Sequence, residues 1–375
     1  MSTALDELTL QAGGREISGW EEVRVTRSIE RCPSDFEIVM TELYPGEPDI
    51  VTVQPGDECS VRLGDDLVLT GYVDRVAYSL AAGHHATTVI GRSKCADLVD
   101  CAAEWPGGQI VASDALGIAQ KLAEPYGIKV TAPGSKGVRI QQFNLMLGES
   151  AWEIIERVCR FGALLAYDQP DGNLLLTEAA QVTAGSGFLE GDNVQACTMT
   201  TSMDQRYSIY TCVMQSMDRT KDLGEGGNLL AFAGDEGVPR HRPRVIISEA
   251  PSGGQDFAQK RVTWEANRRI GRAAQLNVIT DSWRDRAGKL WTPNTLVPLA
   301  LPSMKCGSES QKELWLITEV SYRRDRHNGT VAALTIMRPE AFLPMPIIQL
   351  PTKAELNDRD PYYQNPNYSN EGRGR

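Results

Sequence analysis

Two regions of this sequence, one toward each end, repeat the same order of strand and turn patterns, and this repeat limits the fold more than any other feature. The matched segments, in chain order, are residues 26–30 with 200–204, 36–40 with 207–214, 55–57 with 293–295, 67–78 with 314–322, and 86–90 with 330–336. A histidine-containing turn separates the last two segments in both copies. Because order and spacing both persist, we interpret the chain as two copies of one β-rich unit.

Each copy has the pattern of several short strands. Apolar residues alternate with polar ones at Val23 and Val25 and again at Phe36, Ile38 and Met40, a period of two that is typical of half-buried strands. Short strands joined by tight turns favour a small barrel, because closure removes exposed sheet edges. The predicted fold class is mainly β with α+β: two similar small β-barrels in one chain plus a middle α+β domain.

The segment between the two copies changes to a helical period. Ser113 is positioned to cap one helix, and Ser150 with Glu153 forms a capping box at the start of a second. Strand patterns at residues 163–167 and 173–177 then predict a hairpin. The middle segment is therefore expected to be a compact α+β unit.

These patterns divide the chain into four predicted parts. They are a first β-barrel at residues 1–93, a middle α+β domain at 94–184, a second β-barrel at 185–345, and an extended C-terminal arm at 346–375. The second barrel would carry a helix near 256–274 and a polar, glycine-rich loop insertion near 216–243. The arm is rich in Asn, Pro, Tyr and charge, a composition typical of segments without a fixed structure of their own.

Charge and cysteine content exclude several classes of protein. The formal net charge of -11 argues against a protein that wraps nucleic acid, since phosphate binding needs concentrated Lys and Arg. The eight cysteines are scattered without a C-x-x-C pair, which favours buried free thiols over disulfides or a metal site. The first residues lack the pattern of a secretory signal, and no apolar run is long enough to span a membrane, so we expect folding in a cytosol.

The usual catalytic signatures are absent from the sequence. It contains no H-E-x-x-H, no G-x-S-x-G and no Walker-type phosphate loop. The four histidines, His84, His85, His241 and His327, fall in predicted turns, where exposed side chains are commoner than catalytic bases or zinc ligands. We therefore predict no enzyme activity and no catalytic, cofactor-binding or metal-binding residues.

Several stretches of the chain resemble the baseplate hub proteins of Mu-like contractile phages and, more distantly, the hub part of the type VI secretion spike protein. The resemblance covers most of residues 1–345, and its most specific stretches are residues 55–92, 148–167, 264–274, 288–294 and 337–342. The family implies a homotrimeric ring of barrels under the hexameric tail tube, with a spike protein attached to its distal face. It further implies contacts with a tube-initiating protein and with baseplate wedge proteins, and a place in the virion tail after assembly in the host cytoplasm.

The internal repeat gives this resemblance a physical meaning. Two similar barrels per chain let a closed trimer present six nearly equivalent units around its axis, so a threefold object can seat on a sixfold one. We predict a structural hub that joins the sixfold tube to the central spike and leaves a passage for DNA. The acidic net charge favours a channel wall that is not basic, through which DNA passes without specific binding.

Large aromatic side chains are candidates for protein contacts, because Trp and Tyr left at a surface often anchor interfaces. The candidates are Trp283, Trp291, Trp315, Tyr322, Tyr362 and Tyr363. For the tryptophans, a place in the core is the commoner outcome.

Three other functions stay open at this point. The hub of a phage-derived injection or secretion particle has the same sequence features. A tail-associated peptidoglycan hydrolase or wall-binding module would use paired carboxylates of the middle unit such as Glu149, Glu153 and Glu156, although Ser150 already accounts for Glu153 as a capping residue. The third is a soluble oligomeric β-protein unrelated to tails.

Overall fold

The structure, a computed structural model, describes residues 7–40, 53–82, 84–137, 139–161, 164–180, 182–215, 228–248 and 255–342. It is mainly β, as predicted, with a few helices. The strands are β1 (Leu8–Ala12), β2 (Arg15–Ile17), β3 (Glu22–Ser28), β4 (Asp35–Met40), β5 (Glu58–Leu63), β6 (Asp66–Ala81), β7 (His84–Ser93), β8 (Gln109–Ser113), β9 (Val130–Thr131), β10 (Ile140–Asn144), β11 (Leu165–Asp168), β12 (Leu174–Thr177), β13 (Val182–Thr183), β14 (Phe188–Leu189), β15 (Val194–Thr201), β16 (Ile209–Gln215), β17 (Asn228–Gly234), β18 (Pro243–Ser248), β19 (Ala274–Thr280), β20 (Thr295–Ala300), β21 (Glu313–Asp325) and β22 (Gly329–Met337). The α-helices are α1 (Ala96–Asp100), α2 (Ala115–Ala123), α3 (Ala151–Phe161) and α4 (Gln255–Arg272), and single 3-10 turns lie at Pro106–Gly108, Glu124–Tyr126, Pro302–Met304 and Pro339–Phe342.

One large sheet combines strands from both ends of the chain. Its order is β15-β19-β22-β21-β3-β4-β7-β6-β5-β1-β2, and β20 joins it by pairing with β21. The two β-rich regions meet where β21 pairs antiparallel with β3, with Tyr322 opposite Val25. Buried apolar side chains from both regions form one continuous core. The two regions are therefore joined both by strand pairing and by a shared core.

Five strands in each region follow the same hydrogen-bonded order. The order β3-β4-β7-β6-β5 in the first region corresponds to β15-β19-β22-β21-β20 in the second, with every neighbour antiparallel. In both regions the longest strand, β6 or β21, carries a bulge against its partner β7 or β22. The internal repeat predicted from the sequence is thus present in the connectivity of the sheet.

The equivalence extends to single hydrogen bonds. The amide of Gly56 donates to the carbonyl of Val73 at 2.7 Å, and the amide of Asn294 donates to the carbonyl of Ile317 at 2.9 Å. Both donors have a left-handed φ, +96° for Gly56 and +62° for Asn294, a conformation that Gly and Asn adopt more readily than other residues. The match of Pro55 with Pro293 is therefore confirmed.

One part of the predicted alignment is confirmed and another is wrong. Residues 67–78 and 314–322 form equivalent strands, and the equivalent hydrogen bonds accepted by the Val73 and Ile317 carbonyls place these two residues at matching positions. Residues 207–214 are not the counterpart of β4; that place in the sheet belongs to β19. One strand pattern of period two can be exchanged for another with little change in the quality of the match, which explains this error.

The region between β15 and β19 forms a second, separate sheet in place of the predicted loop. Its strand order is β17-β16-β18, and α4 packs on one face. The loop prediction for residues 216–243 is wrong at 228–234, which pair with β16 along the whole of β17; residues 216–227 lie outside the described part. A short apolar run bounded by glycine and acidic residues gives too little periodicity to identify a strand.

The middle segment has its own core, built from α1, α2, α3 and the strands β8 to β12. The predicted capping box is present, since the Ser150 amide donates to Glu153 at 2.9 Å and the Glu153 amide donates to the Ser150 hydroxyl at 3.2 Å. The first helix is capped by Asp114, whose carboxylate accepts from the Gly117 amide, instead of by Ser113. The predicted hairpin is formed by β11 and β12.

Cysteine burial follows the sequence prediction. Six of the eight are buried, whereas Cys101 is exposed and Cys197 is half-buried. Burial raises the pKa of Cys59 and of Cys159 to about 12, so these thiols stay protonated and unreactive at neutral pH. Within the described part of the chain, no helix is both long and apolar enough to cross a membrane.

Candidate interaction surface

The aromatic residues predicted as interface candidates lie in the core. Trp283, Trp291, Trp315 and Tyr322 are each at most 2% exposed. Trp283 donates from its indole nitrogen to the carbonyls of Arg323 at 3.0 Å and Val331 at 3.1 Å. The interface prediction is therefore wrong for these four residues, because a side chain that the chain itself encloses has no area left for a partner.

The polar groups of these aromatic residues are used inside the chain. The Tyr322 hydroxyl donates to the carbonyl of Trp291, and burial raises the pKa of Tyr322 to about 12. The ring of Trp291 packs against Phe188 with 4.7 Å between centroids. The other two candidates, Tyr362 and Tyr363, lie outside the described residues.

The small sheet exposes a different apolar surface. Strand pairing places its outward residues in two rows across β17, β16 and β18. These rows, which we call the sheet patch, are Phe232, Thr211 and Val245, and Leu230, Val213 and Ile247. Ile247 is 78% exposed, Val245 61% and Phe232 56%. The patch covers on the order of several hundred Å², the size at which an exposed apolar surface usually marks an interaction site.

The opposite face of the small sheet explains why the patch faces outward. Residues that alternate with the patch pack against α4, and they are buried. The contacts are made by Tyr210, Cys212, Met214, Leu229, Ala231 and Ile246 on the strands and by Ala258, Val262 and Ala266 on the helix. Since successive side chains on a strand point to opposite faces, burial of one set fixes the exposure of the other. In the sequence, the apolar runs at residues 229–232 and 245–247 are the signal from which the sheet patch could have been predicted.

An ion pair fixes the end of the small sheet. The Arg206 guanidinium donates to the two Asp235 carboxylate oxygens at 2.7 and 2.6 Å, and the Gly237 amide donates to the same carboxylate at 3.0 Å. Hydrogen bonds from Arg206 hold the pKa of Asp235 below its ordinary value. The buried carboxylate therefore ties the turn after β17 to the chain before β16.

We expect the change Asp235→Asn to lower the free energy of unfolding by about 2 kcal/mol at pH 7, because Arg206 loses its charged partner. A carboxylate with a lowered folded pKa contributes stability above its unfolded pKa and loses it as the pH falls through the folded value. Urea denaturation should therefore show the deficit at pH 7 and a smaller one below about pH 3. The control, Asp192→Asn at the exposed pair with Arg286, should change stability by less than about 0.5 kcal/mol. Equal deficits of Asp235→Asn at both pH values would contradict the assignment.

The carboxylates considered as catalytic residues take part in ion pairs or helix capping, and the histidines are spread along the chain. The carboxylate of Glu149 pairs with Arg157 at 2.6 Å, Glu153 caps α3, and Glu156 pairs with Arg160 at 2.5 Å. Histidines are scattered: His327 is exposed in the turn between β21 and β22, His241 is exposed, and His85 is half-buried at the start of β7, where His84 also lies. Over the residues that the structure describes, no three His, Cys, Asp or Glu side chains are grouped as a metal site.

Comparison with known protein families gives matches along most of the chain. Residues 7–93 match the family described as Mu phage baseplate assembly protein GpP-like, N-terminal. Residues 95–178 match the second domain of baseplate hub protein gp44-like, and residues 254–345 match the fourth domain of Mu phage baseplate assembly protein GpP.

Individual proteins show the same similarity. The chain is 32% identical over 303 residues to baseplate hub protein gp44 of Escherichia phage Mu, which covers 78% of each protein. A solved 43 kDa tail protein of prophage MuSo2 from Shewanella oneidensis is 32% identical, with a TM-score of 0.78 over 89% of this chain and 99% of that one. A type VI secretion system component from E. coli shares the fold at 10% identity, with a TM-score of 0.56 over 91% of this chain and 80% of that one.

Proposed function

Because this chain belongs to the family of phage Mu baseplate hub proteins, we propose that three copies form a closed ring that joins the sixfold tail tube to the central spike. In this proposal the ring is a structural element of the virion, assembled in the host cytoplasm. It contacts the tube or a tube-initiating protein, the spike, and the baseplate wedge proteins. The observation that carries it is the five-strand repeat, with its identical order in both halves of the large sheet.

The repeat supports a match between threefold and sixfold symmetry. Each chain supplies two equivalent five-strand units, so a ring of three chains presents six of them. The halves of the large sheet would act as the two small barrels, residues 1–93 and 185–345, with the middle unit at 94–184 between them and the arm at 346–375. Equivalent hydrogen bonds at Gly56 and Asn294 support near-equivalence of the units down to local geometry.

Neighbouring copies meet through the sheet patch in this proposal. The patch lies on a separate sheet, so contact there leaves the strands of the repeat unobstructed. A standard interface removes about 800 Å² from each partner, and an apolar centre of several hundred Å² is of the size that such an interface needs. Each copy would offer the patch to a different surface of the next copy, which closes a ring of three.

The mass of the particle in solution tests the ring directly. Light scattering should give three times the chain mass of 41.2 kDa, and low-resolution electron microscopy should show a central hole. A stable monomer at high concentration would contradict the ring and favour a β-protein with another role.

The ring would let DNA pass without binding it. The net charge of -11 supports a channel wall that lacks a concentrated positive surface, and a wall without such a surface does not hold phosphates. A strongly positive lumen in the assembled ring would overturn this part of the proposal. A hub of a phage-derived injection or secretion particle would need the same geometry, and the similarity to the type VI component concerns the fold alone.

We expect the purified chain to leave peptidoglycan intact in a zymogram, because the carboxylates of the middle unit serve capping and ion pairing. The change Glu153→Gln removes one charge from the capping box and should cost about 0.5–1 kcal/mol of stability without altering the zymogram. Clear lysis by the wild-type chain that Glu153→Gln abolishes would establish the hydrolase instead.

A further inference from the structure

A pocket of about 160 Å³ lies where α3, α4 and the last described turn of the chain converge. Its wall combines apolar side chains, among them Trp152, Trp264 and Phe342, with charged ones. A second cavity of about 260 Å³ adjoins it and shares Arg268 and Arg272 as lining residues. These two arginines therefore separate two open spaces at the surface of α4.

The charges in the first pocket do not balance. Three guanidinium groups, from Arg160, Arg268 and Arg272, face two carboxylates, from Glu30 and Glu156. Arg272 pairs with Glu30, and Arg160 pairs with Glu156 at 2.5 Å. Among the described residues Arg268 has neither an ion pair nor a hydrogen bond to its guanidinium, which lies over the Trp264 ring, 5.3 Å from the centroid. One positive charge is left over, and it is on Arg268.

Leaving Arg268 in this position costs free energy. Burial removes water from its guanidinium and lowers its pKa, and the like charges of Arg272 and Arg160 lower it further. The carboxylates of Glu265 and Glu30 act in the opposite direction but do not restore the ordinary pKa. Arg268 and Arg272 are also four residues apart on one helix, where like charges repel. The chain carries an excess of acidic residues, yet none of the described ones pairs with this group. A partly buried, unpaired arginine beside a tryptophan is typical of the residues that dominate protein interfaces.

We propose that this pocket receives an acidic side chain of another tail protein, whose carboxylate pairs with Arg268 while a neighbouring apolar group packs against Trp264 and Phe342. The inference rests on the proposed function, which supplies the class of partner. Charge complementarity identifies the occupant, since one carboxylate would balance the pocket and would accept two parallel hydrogen bonds from the planar guanidinium. The apolar lining selects a carboxylate on a protein over a free hydrated anion.

The pocket can be tested on the isolated full-length chain by thermal unfolding with N-acetylglutamate as probe. At constant ionic strength, millimolar N-acetylglutamate should raise the unfolding midpoint by about 1 °C or more, and N-acetylglutamine, which has the same shape without the charge, should not. The variant Arg268→Met should abolish this response and should unfold at the same temperature as the wild type or higher. The neighbouring variant Arg269→Met breaks the pair with Glu265 at 2.7 Å, so it should unfold earlier and retain the response.

Each other outcome decides against the inference. A lower midpoint for Arg268→Met would show that Arg268 stabilises the fold, and an equal response to both probes would show that the charge is not recognised. A response to inorganic phosphate alone would indicate an anion site without a protein partner. A changed particle mass for Arg268→Met would assign the pocket to a second copy. The proposed ring is judged by the mass of the wild-type chain, so its failure and that of the pocket are distinguishable.

Discussion

Replacing Ile247 with aspartate should dissociate the ring into single chains at micromolar concentration. Ile247 is the most exposed member of the sheet patch, and a carboxylate there would be buried without a partner when copies associate. Loss of an apolar anchor of this kind costs about 2 kcal/mol or more at each interface. Since a closed ring of three has three such contacts, the association constant should fall roughly 10⁴-fold.

The chain offers a matched control for this experiment. Val245 lies in the sheet patch and is 61% exposed, and Val111 lies on β8 of the middle unit and is 62% exposed. Both residues are valines in strands, so the change to aspartate has a similar intrinsic cost in each. Light scattering should find Val245→Asp largely monomeric and Val111→Asp unchanged in mass. If both variants keep the wild-type mass, the sheet patch is not where copies meet.

The parts of the fold that local patterns determine could be predicted from the sequence. Alternation at Val23, Val25, Phe36 and Ile38 predicted strands whose apolar side chains are all buried. The capping box at Ser150 is satisfied in both directions. These features depend on neighbouring residues, so a single sequence contains enough information for them.

Features that depend on distant pairing could not be predicted. Nothing in the strand pattern of residues 207–214 distinguishes a place beside β15 from a place in a separate sheet, because both environments bury one face of the strand. The sheet patch was missed for the same reason: its apolar residues would be core residues if a second layer covered them. The aromatic candidates failed because residue type alone does not determine burial, and the chain encloses Trp283 on all sides.

The change Trp283→Ala should lower the free energy of unfolding by about 3–5 kcal/mol, the range for removing a large buried aromatic side chain. Two losses contribute. A cavity opens in the core shared by both β regions, and the carbonyls of Arg323 and Val331, near the turn of the β21–β22 hairpin, lose their donor. The variant Trp283→Phe keeps most of the apolar volume but not the donor, so it should cost about half as much.

Folding and association must be separated to interpret this loss, because assembly stabilises any folded chain by mass action. Urea denaturation is therefore best carried out in the Ile247→Asp background, where the parent is expected to be a monomer. If Trp283 acts in the core, adding Trp283→Ala to that background lowers the urea midpoint, and the free energy of unfolding falls by the same amount of about 3–5 kcal/mol. If Trp283 were an interface anchor, the double variant would have the same urea midpoint as the Ile247→Asp variant. Trp283→Ala alone would then change the particle mass. Because the structure encloses Trp283 within one chain, we expect the first result: stability depends on the core tryptophans, and association depends on the sheet patch.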